Sequence, residues 1–240
     1  MRTLGLIGGM SWESTSLYYR LINEGVRDAL GPLRSASLLL YSYDFEQIKA
    51  LQHGGRWDEA GRSLADVAVR LERAGAEAVV LCTNTMHKVA DMICSAIGVP
   101  FLHLADCTAD RIIAAGLGKV GLLGTRFTME EDFYKARLCR HGLEVLVPDE
   151  DDMAEVHRVI YDELCQGIVR APSRERYQAV ARSLVEGGAQ GIILGCTEIT
   201  ILIGPEDVAV PTFDTTAIHA AAAVRLAIAD ESSPAAPPLP

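Results

Sequence analysis

Short apolar runs alternate along the chain with longer segments whose apolar residues recur every three or four positions. Runs of strand length are Thr3–Ile7, Ala36–Leu40, Ala78–Cys82, Phe101–Leu104, Lys119–Leu123, Glu144–Val147, Gly191–Leu194 and Ala209–Phe213. Between them Thr15–Arg27, Trp57–Ala74, Lys88–Ala96, Met129–Arg140 and Arg174–Glu186 carry helical periodicity. Near-continuous apolar runs suit strands covered on both faces, so the order predicts an α/β fold with parallel sheets and helices on either side.

The pattern then repeats. Leu4-Gly5-Leu6-Ile7-Gly8-Gly9-Met10 is echoed by Val120-Gly121-Leu122-Leu123-Gly124-Thr125, and Gly75–Asn84 by Gly188–Thr197. A third echo pairs Val99-Pro100 with Val210-Pro211, each followed by a short apolar strand and then an Asp, Asp106 or Asp214. Three echoes in one order predict two similar lobes with equivalent loops on either side of a cleft, where parallel sheets bind ligands. One lobe comprises residues 1–100 with about 210–229, the other about 101–209. The elements after the two Val-Pro pairs are free to cross between lobes. Residues 230–240, with four prolines, read as a loose, disordered tail.

The repeat also sets a register. Aligning the two Gly-Ala starts puts Thr83 opposite Cys196 and Cys82 opposite Gly195. Successive strand side chains face opposite ways, so Thr83 and Cys196 form the matched pair and Cys82 is expected in the core. Polar groups gather behind both strands, as Thr83-Asn84-Thr85 and Cys196-Thr197-Glu198, where packing alone gives no reason for them. The turn Gly8-Gly9-Met10-Ser11 allows positive φ, exposes backbone N–H groups and offers Ser11 as a cap, a suitable place for a carboxylate or phosphate. Gly5, Gly8 and Gly9 do not have the spacing of a dinucleotide fingerprint.

Composition narrows the chemistry. A formal net charge of −10 without a local basic patch argues against nucleic acid, and no run of 18 apolar residues suggests a membrane span. No export signal is legible, and the six cysteines lack a C-x-x-C pair, so free thiols in a reducing, cytoplasmic compartment are expected. The six histidines have no metal-ligand spacing. A Cys-His-Asp hydrolase would need His103 or His219 to fold back onto a thiol. The acidic run Asp149–Asp152 reads as a solvated loop.

Taken together, Gly8-Gly9-Met10-Ser11-Trp12-Glu13-Ser14-Thr15, Cys82-Thr83-Asn84-Thr85-Met86-His87-Lys88 and Gly195-Cys196-Thr197-Glu198 resemble the aspartate/glutamate racemase family, in particular its branch of broad amino-acid specificity. The resemblance covers about residues 2–229. It implies two Rossmann-like lobes related by a pseudo-twofold axis, an active site in the cleft between them, a homodimer, an amino-acid substrate, and no cofactor, neither pyridoxal phosphate nor metal. The family commonly sets one cysteine on each side of the substrate's α-carbon. Its first cysteine motif, Cys-Asn-Thr, falls here on Thr83-Asn84-Thr85, so a threonine stands at the usual cysteine position.

Racemisation takes a proton from one face of the α-carbon and returns one to the other, which requires two acid/base groups. A thiol can be tuned to serve as a thiolate base, whereas a threonine hydroxyl is a far weaker acid. The resemblance thus gives Cys196 the base role and Thr83 that of opposing donor, with the two-thiol mechanism through Cys82 as the alternative. It further implies substrate contacts by Met10, Ser11, Gln52, Asn84, Thr85, Thr125, Thr197 and Glu198, with Gln52 on the side chain. Glu198 is expected either to receive the ammonium group or to raise the thiol pKa. Lys49 and Arg56 are the basic candidates for a side-chain carboxylate. A decarboxylase or cis–trans isomerase of small dicarboxylates, and a non-catalytic solute-binding module, are the rival readings of the same motifs.

Overall fold

The computed structural model describes residues 1–229, and the proline-rich stretch 230–240 lies outside them. The chain divides into two units, residues 1–103 with those from 219 onward, and residues 104–218.

The first unit is a parallel sheet of β1 (Leu4–Gly8), β2 (Leu38–Ser42), β3 (Ala78–Leu81) and β4 (Phe101–Leu102), in the order β2-β1-β3-β4. Helix α1 (Trp12–Leu30) starts where Ser11 accepts the Ser14 N–H at 3.2 Å and stops at Gly31, whose φ of +118° suits glycine. Helix α2 (Phe45–His53) is capped by Asp44, α3 (Trp57–Arg73) runs back to the sheet, and α4 (Ala90–Ala96) precedes β4. One face of the sheet, with Ile7, Val79 and Leu81, packs on the α2 and α3 residues Ile48, Leu64 and Val67. The other carries Leu4, Leu6, Ala78, Val80 and Cys82 against Tyr18, Ile22 and Val26 of α1. This alternation is the period-2 reading of the sequence made solid.

The second unit repeats the plan. It contains α5 (Leu104–Ala114), β5 (Lys119–Gly124), α6 (Arg126–Glu130), α7 (Asp132–Arg140), β6 (Glu144–Leu146), α8 (Glu150–Asp162), α9 (Ala171–Glu186), β7 (Ile192–Gly195) and β8 (Thr212–Asp214). Its parallel sheet has the order β6-β5-β7-β8, the same topology as the first. Val120, Leu122, Leu123, Ile192, Ile193 and Leu194 fill its core with Tyr134, Val156 and Tyr177. Helix α10 (Thr215–Ile228) begins here, and its Ala220, Ala223, Val224 and Ala227 pack with Leu4, Leu6 and Cys82 in the first unit.

Four expectations change. The acidic run is no loop: Asp149 caps α8 by accepting the Asp152 N–H at 2.9 Å, and Glu150, Asp151 and Asp152 fill the first turn, where carboxylates complement the helix dipole. The stretch Met129–Arg140 is split at Glu131, whose backbone is extended, into α6 and α7. Leu104 starts α5 instead of ending a strand, because only Phe101 and Leu102 pair with β3. Finally, the two aspartates of the third echo are not equivalent. Asp214 ends β8 and accepts the Thr216 and Ala217 N–H groups, while Asp106 lies in α5 and holds Arg137 at 2.7 Å through both oxygens.

Candidate functional site

Strand pairing fixes where the polar clusters stand. In the first sheet Ile7 pairs with Leu81, and in the second Leu123 pairs with Leu194. Two residues beyond these pairs lie Thr83 and Cys196, so they hold the same place in the two units. Cys82 is fully buried, its sulfur only 4.0 Å from the Val80 carbonyl, and burial pushes its thiol far above the ordinary value. At Gly195, which stands where Cys82 does, an added Cβ would lie 2.9 Å from the Leu123 carbonyl oxygen. The second unit therefore has no room for a side chain there.

The first unit gathers Met10, Ser11, Gln52, Thr83, Asn84 and Thr85, all buried. Gly9 has φ +85°, and a Cβ there would fall 2.2 Å from the Tyr43 carbonyl oxygen, so the turn demands glycine. The Gly9 N–H donates to Thr15 Oγ1 at 2.8 Å, and that hydroxyl donates to the Ser11 carbonyl at 2.8 Å. Ser14 Oγ reaches the Cys82 carbonyl at 3.4 Å, tying this turn to the end of β3. Gln52 points its Nε2 at Met86 Sδ, 3.0 Å away, while its Oε1 is buried with no hydrogen-bond partner among the described residues. Thr83 begins the turn that leads into a 3-10 segment, Thr85–Val89, and its carbonyl accepts from His87 Nδ1 at 2.7 Å.

The second unit gathers Thr125, Cys196, Thr197 and Glu198. Gly124 pairs with Gly195, so Thr125 and Cys196 follow adjacent strand ends, and Thr125 caps α6. Cys196 is half-buried and its Sγ–H donates to Glu198 Oε2 at 2.9 Å. Burial, and after it the Glu198 carboxylate and the Cys165 thiol, hold the Cys196 thiol well above its ordinary pKa, and only the Glu198 backbone N–H pulls the other way. The sulfur is thus a protonated thiol at rest, with an acceptor for its proton in contact. Thr197 Oγ1 lies 2.8 Å from Thr216 Oγ1.

Three neighbours of this thiol escaped the sequence. Tyr161 of α8 and Tyr177 of α9 have their phenols raised by burial first and by Cys196 next. Cys165 sits on the 3-10 turn Leu164–Gln166, which packs against the turn Thr197–Ile201. Glu163 anchors that turn, accepting Ser173 Oγ at 2.6 Å and Arg158 at 3.1 Å. Lys49 and Arg56 already face carboxylates of their own, Glu46 at 3.9 Å and Glu59 at 3.3 Å, on the surface. Among the described residues no cluster of three or more His, Cys, Asp or Glu could hold a metal ion, and no helix is long and apolar enough to cross a membrane.

Two parallel four-stranded sheets of one topology, with polar and ionisable groups at equivalent strand ends, define a two-lobed α/β enzyme. Residues 7–223 match the Asp/Glu/hydantoin racemase family, and the chain belongs to that family of isomerases. It is similar to a broad specificity amino-acid racemase of Bacillus subtilis, 26% identical over 237 residues that span 95% of this chain and all of the relative. Among solved structures, a candidate Asp/Glu racemase from Yersinia pestis is 55% identical with a TM-score of 0.91, covering 95% of this chain and 100% of that one. An aspartate racemase homologue from Pyrococcus horikoshii is 36% identical with a TM-score of 0.83, over 95% and 99% of the two chains.

Proposed function

We propose that the protein racemises an amino acid, aspartate, glutamate or a broader set, without a cofactor, by proton transfer at the α-carbon between Cys196 and Thr83. The observation that carries this reading is the equivalence of the two residues at the ends of β3 and β7 in a chain of the racemase family. Cys196 passes its thiol proton to Glu198 and, as thiolate, takes the α-proton. The negative charge moves onto the substrate carboxylate, where Asn84, Thr85 and Thr197 donate hydrogen bonds that strengthen as the enediolate forms. Thr83 gives its hydroxyl proton to the opposite face and regains one from water, while Glu198 releases the thiol proton to solvent, which completes the inversion and restores both groups. Met10, Ser11 and Thr125 frame the two glycine turns, and the buried amide of Gln52 supplies a polar contact for the substrate side chain. Cytoplasmic location and a homodimeric state accompany the same reading.

The test is a panel of single-enantiomer amino acids in D2O, followed by proton NMR and optical rotation with no added pyridoxal phosphate, nicotinamide or metal. Loss of the α-proton signal together with appearance of the mirror-image amino acid is expected. Turnover of a dicarboxylate, with no α-exchange in any amino acid, would overturn the reading in favour of a decarboxylase or cis–trans isomerase.

A further inference from the structure

Behind Thr83 the first unit buries three imidazoles. His87 and His103 are nearly inaccessible and His219 is completely so. The His87 ring lies 4.6 Å from His103, 5.9 Å from His219 and 5.7 Å from Phe101, centre to centre, so it is clamped on several sides. His219 is fixed in turn. Its Nε2–H donates to the Leu102 carbonyl at 3.0 Å, which leaves Nδ1 to accept the Tyr18 hydroxyl at 2.9 Å. Polar rings are a costly filling for a core unless their hydrogen bonds accomplish something.

From this array His87 Nδ1–H donates to the Thr83 carbonyl, at the reacting turn, over 2.7 Å. The Thr83 N–H is also committed, donating to Leu81 at 2.9 Å. Both polar groups of the Thr83 backbone are therefore pinned, and a β-branched side chain on a pinned backbone has few χ1 choices left. The matched turn of the second unit is held differently. The Cys196 carbonyl receives the backbone N–H of Ile199, at 3.1 Å, and Thr200, in the register of His87, bonds to the Thr197 carbonyl. The imidazole strut is thus particular to the threonine side, where a weak acid must be aimed well to donate at all.

We propose that His87 is a positioning residue for Thr83, an imidazole strut held by the buried histidine array that aims the Thr83 hydroxyl at the substrate. This rests on the reading of Thr83 as proton donor. His87 bonds the Thr83 carbonyl and not its hydroxyl, so it steers the donor and supplies no proton.

A partition ratio tests this. For the enantiomer whose α-hydrogen faces Cys196, each carbanion formed in D2O either regains a deuteron on that face, exchange with retention, or receives one from the Thr83 side, inversion. The ratio of inversion to exchange is independent of KM and of the fraction of folded enzyme, so a loss of stability alone does not move it. His87→Phe removes the donor, and His87→Gln shifts it to the Nε2 position while staying polar. Both should lower the ratio roughly tenfold, the effect of one lost hydrogen bond on a barrier, with exchange itself within about twofold of wild type. His87→Asn places an amide N–H where Nδ1 stood and should restore most of the ratio. Thr83→Ala is the reference. If Thr83→Ala lowers the ratio and both His87→Phe and His87→Gln leave it unchanged, the inference is overturned and the catalytic reading stands. If Thr83→Ala leaves the ratio unchanged, the catalytic reading fails and the inference goes with it.

Discussion

Replacing Cys82 with alanine separates a packing thiol from a catalytic one. Cys82 is fully buried among Leu4, Leu6, Tyr18, Ile22 and Val80, and its sulfur makes only the 4.0 Å approach to the Val80 carbonyl. Truncation strands no charge and breaks no strong hydrogen bond, so its cost is the lost burial of one sulfur and the void left behind. About 40 Å² of apolar surface at roughly 25 cal/mol per Å² amounts to ~1 kcal/mol. A void of about 25 Å³ adds ~0.6 kcal/mol. The expected destabilisation is therefore about 1.5 kcal/mol, a fall in Tm of roughly 3–6 °C for a chain of this size. Denaturant melts give the first number and calorimetry the second. Deuterium exchange and optical inversion in D2O should stay within about twofold of wild type per folded molecule. Cys196→Ser in the same assay should lose α-proton exchange from the face it serves, because a serine hydroxyl is a much weaker acid than a thiol. A well-folded Cys82→Ala protein that lost both exchange and inversion would refute the reasoning and bring back the two-thiol mechanism.

The remaining predictions concern charge. Glu198→Gln removes the carboxylate that helps hold the Cys196 thiol up, so the pH midpoint for alkylation of Cys196 by iodoacetamide should move down; an unmoved midpoint would show that the carboxylate does not act on the thiol. His219 has its pKa lowered by burial from 6.5 to about 4, so the folded state binds fewer protons than the unfolded chain between those values. Its contribution is complete above the unfolded pKa and is lost as pH falls toward the folded one, up to ~3 kcal/mol in all. Denaturant titrations at neutral and acid pH should show this slope in wild type and a shallower one in His219→Gln, and equal slopes would disprove the assignment.

The strands and their register were legible because buried parallel strands advertise themselves as apolar runs, and the echo of Gly75–Asn84 in Gly188–Thr197 was long enough to align. That alignment separated Thr83 from Cys82, as did the family's Cys-Asn-Thr motif, and the sheet pairings lead to the same equivalence. Helix α10 was harder to read, since Ala220, Ala222, Ala223, Val224 and Ala227 are all buried and leave little polar periodicity. Helix α8 was obscured by carboxylates that serve its N-terminus, while their density suggested solvent. Around Cys196, the turn bearing Cys165 and the ring of Tyr161 arrive from some thirty residues away by packing of tertiary elements, for which no local pattern exists. His87 was visible as part of a motif, but its bond to the carbonyl four residues back appears only once the 3-10 turn has been formed.

The unlike residues at the matched ends of β3 and β7 meet a constraint that no protein can evade. Mirror-image amino acids have the same free energy in water, so their equilibrium mixture is equimolar whatever catalyses its approach. Detailed balance then makes kcat/KM identical in the two directions, even with a thiol on one side and a hydroxyl on the other. With Cys196 and Thr83 as the proposed acid/base pair, their inequality can appear only at saturation, as unequal kcat values offset by equally unequal KM values. At scarce substrate the enzyme behaves as if it were symmetric. When one enantiomer is abundant, the form in which the protein waits between turnovers decides which direction runs faster.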